Sequence, residues 1–165
     1  YTNLDSYSVC GGEVGVQARW NNGFSVRFTY AYTKEQLAKD KDGNTINNQY
    51  IPAREHAFNA RMDYDHQFTK NYGLNIGLSG RYLSGVENVE YKNYYNVSEG
   101  TLTVSYPSYT IWKLSLVQRI GKAVKVTAAL DNLFGYKPKY YYLNSPITDG
   151  VNLQVGLSVD IDKLF

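Results

Sequence analysis

The chain has 165 residues, with 43% hydrophobic residues and a net charge of +2 from 17 basic and 15 acidic side chains. One domain, or part of a larger one, fits that length; the apolar content excludes wholesale disorder, and the balanced charge excludes a nucleic-acid footprint. A single Cys rules out an internal disulfide and a Cys-rich zinc site, and no cofactor is expected. No apolar run exceeds four residues, as at Tyr140-Tyr141-Tyr142-Leu143, so a membrane helix of about 20 residues is excluded. No signal peptide opens the chain at Tyr1-Thr2-Asn3-Leu4. The unusual counts are 17 Tyr and 15 Asn. The first favours strands and the second turns.

Apolar and polar residues alternate with period 2 almost throughout, which predicts strands. From Cys10 to Trp20 the even positions are Cys, Gly, Val, Val, Ala and Trp, opposite Glu13, Gln17 and Arg19. Asn21-Asn22-Gly23 reads as a tight turn, because Asn and Gly tolerate positive φ. Phe24, Val26, Phe28, Tyr30 and Tyr32 form the next apolar face, opposite Ser25, Arg27 and Thr29. Residues 34–55 are polar and predict a long loop. The third segment sets Phe58, Ala60, Met62, Tyr64 and Phe68, interrupted by His66, against Asn59, Arg61, Asp63 and Asp65. After a turn at Thr69-Lys70-Asn71, Leu74, Ile76, Leu78, Gly80 and Tyr82 oppose Asn75, Ser79 and Arg81. Residues 85–108 predict a second long loop. Trp112, Leu114, Leu116 and Ile120 then face away from Lys113, Ser115 and Arg119, and Gly121-Lys122 turns the chain. Val124, Val126, Ala128, Leu130 and Phe134 oppose Lys125, Thr127 and Asp131, and a third loop covers 135–150. Val151, Leu153, Val155, Leu157, Val159 and Ile161 form the last apolar face, opposite Asn152, Gln154, Ser158 and Asp160.

Seven segments of roughly ten residues or more suit a membrane β-strand of about 9–11 residues better than a soluble strand of about 5–6. Connections alternate short and long, as in outer-membrane barrels. Aromatics flank both kinds: Trp20, Phe24 and Phe68 beside short turns, and Tyr30, Tyr32, Tyr82 and Phe134 beside long loops. This suits two interfacial girdles. The expected fold is therefore all-β, an antiparallel up-and-down transmembrane β-barrel. Even positions of the first six strands and odd positions of the seventh would face lipid, since one residue of offset flips a strand's faces. The odd strand count predicts that further strands precede residue 1, because single-chain bacterial barrels have even numbers.

Catalytic and metal constellations are weak. Asp63 and Asp65 share a face with His66 opposite and no nucleophile, so no catalytic residues are expected. His56 and His66 have no metal-ligand spacing. Asp40-Lys41-Asp42-Gly43-Asn44 lacks the closing Glu of a calcium loop and reads as a polar turn. Asn96-Val97-Ser98 fits a glycosylation acceptor only by composition. Asp131-Asn132 is expected to hydrogen-bond backbone at a strand end. The Tyr-rich loops, with Tyr91, Tyr94, Tyr95, Tyr106, Tyr136, Tyr140, Tyr141 and Tyr142, supply contact area and hydroxyls suited to ligand binding.

Val126-Thr127-Ala128-Ala129-Leu130-Asp131-Asn132-Leu133-Phe134, followed by Gly135-Tyr136 and the Tyr140–Tyr142 run, resembles the late barrel of TonB-dependent outer-membrane receptors. Gly156-Leu157-Ser158-Val159 with terminal Phe165 is similar to their closing strand. Ile51-Pro52-Ala53-Arg54-Glu55-His56 and Tyr1-Thr2-Asn3-Leu4 fit the same pattern, whereas Lys163 stands where that strand would carry an apolar residue. The resemblance implies about seven C-terminal strands of a barrel of about 22, spanning residues 1–165, with plug domain and TonB box elsewhere in the parent chain. It further implies a Gram-negative outer membrane and a transport role, with no enzyme activity. Implied partners are outer-membrane lipid, the plug, the TonB complex and the barrel-assembly machinery reading Phe165. The implied ligand is a small metal complex or cofactor: an iron–siderophore, haem or cobalamin. Arg19, Arg27, Arg61, Asp63, Arg81 and Arg119 would face the lumen or plug. The other function class is a soluble or surface Tyr-rich barrel or sandwich that binds carbohydrate or another ligand.

Overall fold

The computed structural model describes residues 8–36, 53–93, 95–138 and 150–163. Nine strands form: β1 Ser8–Arg19, β2 Phe24–Gln36, β3 His56–Thr69, β4 Tyr72–Leu83, β5 Val86–Tyr91, β6 Thr101–Tyr106, β7 Tyr109–Ile120, β8 Val124–Asp131 and β9 Asn152–Val159. Seven of them make one sheet in the order β1-β2-β3-β4-β7-β8-β9, and β5 and β6 pair separately. The all-β meander expected from alternation is thus present, with β1 and β9 as the ends of the strand order.

Four expectations are corrected. The region 85–108 is not simply a loop, because Val86↔Tyr106 through Tyr91↔Thr101 pair as an antiparallel hairpin. The strict alternation Thr101-Leu102-Thr103-Val104-Ser105-Tyr106 carries that signal. The strand expected to reach Phe134 ends at Asp131, since Asn132 takes the left-handed conformation with φ 52° and turns the chain out of the ladder. The last strand stops at Val159, and Ile161 lies in the 3-10 turn Ile161–Lys163. β2 also runs on to Gln36, three residues into the expected loop 34–55.

The predicted short turns have the bonds their residues favour. Gly23, at φ 91°, donates its N–H to Trp20 O at 3.2 Å, and Asn22 Oδ1 accepts from Phe24 N at 3.1 Å. Thr69 Oγ1 accepts from Asn71 N at 3.2 Å. Gly121, at φ 62°, donates to Asn71 O at 2.7 Å and so joins neighbouring turns.

Register keeps the faces coherent. β7 and β8 pair Leu114↔Leu130, Leu116↔Ala128 and Ile120↔Val124, even with even. β8 and β9 pair Val126↔Leu157, Ala128↔Val155 and Leu130↔Leu153, even with odd, so the expected parity switch at the last strand is present. Among the described residues the buried hydrophobic side chains are Tyr106 and Tyr109 alone, while Leu157 is 70% and Val155 72% exposed.

Two compact units are distinguished. The first draws its described residues from Tyr1–Val14, Tyr30–Ala57 and Leu83–Tyr109; the second draws them from Gly15–Thr29, Phe58–Tyr82 and Thr110–Phe165.

Candidate functional site

In the second unit the odd-numbered face gathers the charged residues. Arg61 reaches along its own strand to Asp63 with two bonds, Nε to Oδ2 at 2.7 Å and Nη2 to Oδ1 at 2.8 Å. Arg119 on β7 meets Asp65 on β3 at 2.5 Å and 3.3 Å, and Asn75 Nδ2 donates to the same carboxylate at 3.4 Å. Lys113 and Asp131 pair across β7 and β8 at 2.9 Å. Arg27 Nη2 donates to Gln17 Oε1 at 2.9 Å, and Asn59 Nδ2 to Thr29 Oγ1 at 3.2 Å. Each ion pair is partly exposed and contributes about 0–1 kcal/mol to stability. Their larger effect is on local charge.

Two cavities open on this face. One, of about 310 Å³, is lined by Arg27, Arg61, Arg81 and Lys113 together with Ser79 and Asn59. The other, of about 410 Å³, is lined by Arg19, Ser25, Arg61, Asp63, Asp65 and Asn75. The six residues expected to face a lumen therefore divide: Arg27, Arg61 and Arg81 line the first, Arg19, Arg61 and Asp63 the second, and Arg119 is tied to Asp65. Asp63 and Asp65 are each held by a different arginine. His66 lies among rings, stacked on Tyr64 at 5.8 Å and edge-on to Phe68 at 4.6 Å. The trio is not an acid–base constellation. Among the described residues no cluster of metal-ligating side chains occurs.

The even-numbered face carries ring contacts. Trp20 meets Phe24 at 5.4 Å and Phe68 meets Tyr72 at 5.9 Å beside the short turns. Tyr82 meets Phe58 at 5.9 Å, and Phe134 meets Trp112 edge-on at 6.3 Å. Gly80 makes room for that indole, since a Cβ there would sit 2.6 Å from Trp112.

Asn132 is the most heavily bonded residue of the late motif. Its side chain is buried; Nδ2 donates to Tyr136 O at 2.7 Å and Gly150 O at 3.1 Å, and Oδ1 accepts from Tyr136 N at 2.8 Å. Its backbone O also accepts from Gly135 N at 2.8 Å. This agrees with the structural role read from the sequence, and Tyr136 is positioned by it.

The first unit holds a cluster that sequence reading missed. Arg54 Nη1 donates to Ser84 O and to Pro107 O, the latter at 2.9 Å, and its guanidinium lies 4.9 Å from the Tyr109 ring centre. Ser84 Oγ accepts from His56 N at 3.0 Å, and Tyr30 Oη lies 2.9 Å from His56 Nδ1. Tyr32 contacts the same imidazole at 5.3 Å. The arginine thus fixes the foot of the β5–β6 hairpin through Pro107 and Tyr109. The only sequence signal was an Arg just before a strand, inside Ile51–His56.

Among the candidate tyrosines, Tyr95 is fully exposed and Tyr106 is buried at 3%. Tyr91 is the last residue of β5. Tyr94, Tyr140, Tyr141, Tyr142 and Phe165 lie outside the described residues, as does the Asp40–Asn44 stretch.

Comparison with known proteins agrees with this architecture. No curated protein matches significantly in sequence. Among solved structures, the FrpB iron transporter of Neisseria meningitidis (F3-3 variant) superposes with a TM-score of 0.63 at 17% identity, covering 93% of this chain and 23% of that one. A chain of the FpvAI–pyocin S2 complex superposes with a TM-score of 0.67 at 14% identity, covering 93% of this chain and 19% of that one. These likenesses concern the fold, and the chain spans about a fifth to a quarter of those proteins. The TonB dependent receptor-like, beta-barrel family matches residues 1–133, most of the chain. The seven-stranded antiparallel sheet with one charged and one apolar face is accordingly the wall of a receptor barrel, and the chain belongs to the TonB-dependent receptor β-barrel family.

Proposed function

We propose that this chain is the C-terminal part of a TonB-dependent outer-membrane receptor of a Gram-negative bacterium, and that its parent protein takes up a small metal complex or cofactor. The observation that carries the reading is the coherent apolar face, which has no buried core beneath it among the described residues. A soluble sandwich buries its apolar side chains between two sheets. Here Leu153, Val155 and Leu157 stay 63%, 72% and 70% exposed, as lipid-facing residues do. Strands of 12 to 14 residues in β1–β4 and β7 are about 40 Å long and, tilted at about 40°, rise about 30 Å. That matches the hydrocarbon thickness. The same features disfavour a soluble Tyr-rich carbohydrate-binding module.

In this reading the odd face of β1–β8 lines the lumen, where Arg19, Arg27, Arg61, Asp63, Arg81 and Arg119 meet water or the plug. The plug and the remaining strands belong to the rest of the parent chain. A barrel of about 22 strands needs a plugged lumen, so passage requires plug movement driven through the TonB complex. The barrel-assembly machinery reads the last strand and Phe165. The Tyr-rich loops capture cargo, an iron–siderophore, haem or cobalamin; the iron transporter among the structural neighbours supports an iron complex. No step of this role calls for catalysis. The test is uptake of the labelled metal complex by cells carrying the full-length protein, with and without functional TonB. Accumulation that vanishes without TonB supports the proposal. Equal accumulation in both refutes active transport and leaves a passive pore or an adhesin.

A further inference from the structure

The cavity of about 310 Å³ on the odd face has an unbalanced lining. Four cations line it, Arg27, Arg61, Arg81 and Lys113, and no carboxylate does. Two are answered from outside the lining: Arg61 by Asp63 at 2.7 Å and Lys113 by Asp131 at 2.9 Å. Among the described residues the other two are not. Arg27 donates only to the neutral Gln17 amide, and neither Arg27 nor Arg81 joins an ion pair among the described residues. The neighbouring cavity differs: Asp63 and Asp65 line it beside Arg19 and Arg61, and with Asp63 held by Arg61 and Asp65 by Arg119, Arg19 is its one cation outside an ion pair among the described residues. Among the described residues the first concavity thus holds two unpaired cations and no lining carboxylate, against one unpaired cation beside two carboxylates in the second, and Ser79 and Asn59 add neutral donors to the wall of the first.

We propose that this cavity is an oxyanion site in which the guanidiniums of Arg27 and Arg81 together hold one carboxylate. Guanidinium presents paired N–H donors in the geometry of a carboxylate's two oxygens, and concave walls concentrate the field of like charges. The Arg61–Asp63 and Lys113–Asp131 pairs flank the site and limit its capacity to about two negative charges. The assignment rests on the lumen reading of the odd face. It separates residues that previously formed one class: Arg61 and Arg119 are neutralised within the wall, whereas Arg27 and Arg81 are left to bind. The carboxylate has two sources, a free anionic solute or an acidic side chain of the plug domain.

The test uses the full-length receptor purified in detergent, with glutarate as the free probe, and three variants: the single variant Arg81→Gln, the double variant Arg27→Gln/Arg81→Gln and the charge-keeping Arg27→Lys/Arg81→Lys. Heat-modifiable mobility on gels selects folded barrels, and the single and charge-keeping variants carry the test where the double variant does not assemble. Calorimetric glutarate binding by wild type, weakened about tenfold in Arg81→Gln and further in the double variant, establishes a site for free carboxylate. Absence of glutarate binding by wild type, combined with a plug that Arg81→Gln or the double variant releases at lower urea, assigns the site to a plug carboxylate. The lysine variant should retain most of either effect. Glutarate binding insensitive to all the substitutions, or no binding and no change in plug release, overturns the proposal. None of these readouts depends on TonB, so failure of the uptake experiment and failure of this site are distinguishable.

Discussion

Leu157 and Ser158 are neighbours on β9 whose side chains lie on opposite faces, opposite Val126 and Lys125 respectively. Leu157→Arg in the full-length receptor places a charge in lipid if odd positions of β9 face outward. Leu157 lies two residues from the end of β9, between the midplane, where that costs about 2–4 kcal/mol, and the interface, where it costs about 0–1; about 1–2 kcal/mol is expected, or roughly 5- to 30-fold in the folding equilibrium. Ser158→Arg puts the same side chain on the charged face beside Lys125; one extra like-charge contact at an exposed position costs under about 1 kcal/mol. Folding into lipid vesicles under a urea titration, read by heat-modifiable mobility, gives both values, and outer-membrane abundance gives an independent ranking. The pair discriminates between the two function classes. Leu157 is 70% exposed, so in a water-soluble module Leu157→Arg would be neutral or would improve solubility. Equal effects of the two substitutions, or the greater loss from Ser158→Arg, would refute the face assignment and with it the parity switch at the last strand.

Asn132→Ala removes three side-chain hydrogen bonds and leaves a Cβ residue other than Asn at φ 52°; local stability should fall by about 2–4 kcal/mol. Hydrogen exchange at the Tyr136 amide measures it, and Asn132→Gly, which relieves the backbone, should recover only part. Arg54→Gln removes a guanidinium that bonds Ser84 O and Pro107 O over the Tyr109 ring, so amides of β5 and β6 should exchange about 30-fold faster, from about 2 kcal/mol of lost interaction. Amides of β7–β8 should be unaffected; a global loss would mean the cluster supports more than the hairpin.

The sheet was legible because its code is redundant. Each strand repeats the same inside-outside choice four to six times, and a single exception such as His66 does not erase it; in the fold His66 joins the ring series of Tyr64 and Phe68. The turns were legible for a different reason, since Gly23 and Gly121 adopt positive φ that few residues accept. Asn132 could be read as a backbone-bonding residue, but not that it ends β8 three residues early, because its partners Tyr136 and Gly150 lie across a loop. Arg54 was illegible on the same ground. Its acceptors Ser84 O and Pro107 O are 30 and 53 residues away, and backbone carbonyls carry no sequence signature. The β5–β6 hairpin was present in the alternation of 101–106 but was masked by the Tyr and Asn content of the segment around it.

The division of charge within the wall follows from the same geometry. On one strand, residues two apart share a face, so Arg61 can turn along β3 to Asp63 without help from a neighbour. Cross-strand pairs need register, and register brings Lys113 to Asp131 and Arg119 to Asp65. Arg27 and Arg81 sit where neither device supplies a carboxylate, although Asp63 and Asp65 stand on the same sheet. Asp63 and Asp65 are held by other arginines, and the charge of Arg27 and Arg81 falls in a cavity. A polar face that only had to be wetted could have used Ser, Thr and Asn at both positions, as it does at Ser79, Thr29 and Asn59. Two cations lining one concavity, with no ion-pair partner among the described residues, are suited instead to an anion supplied from elsewhere.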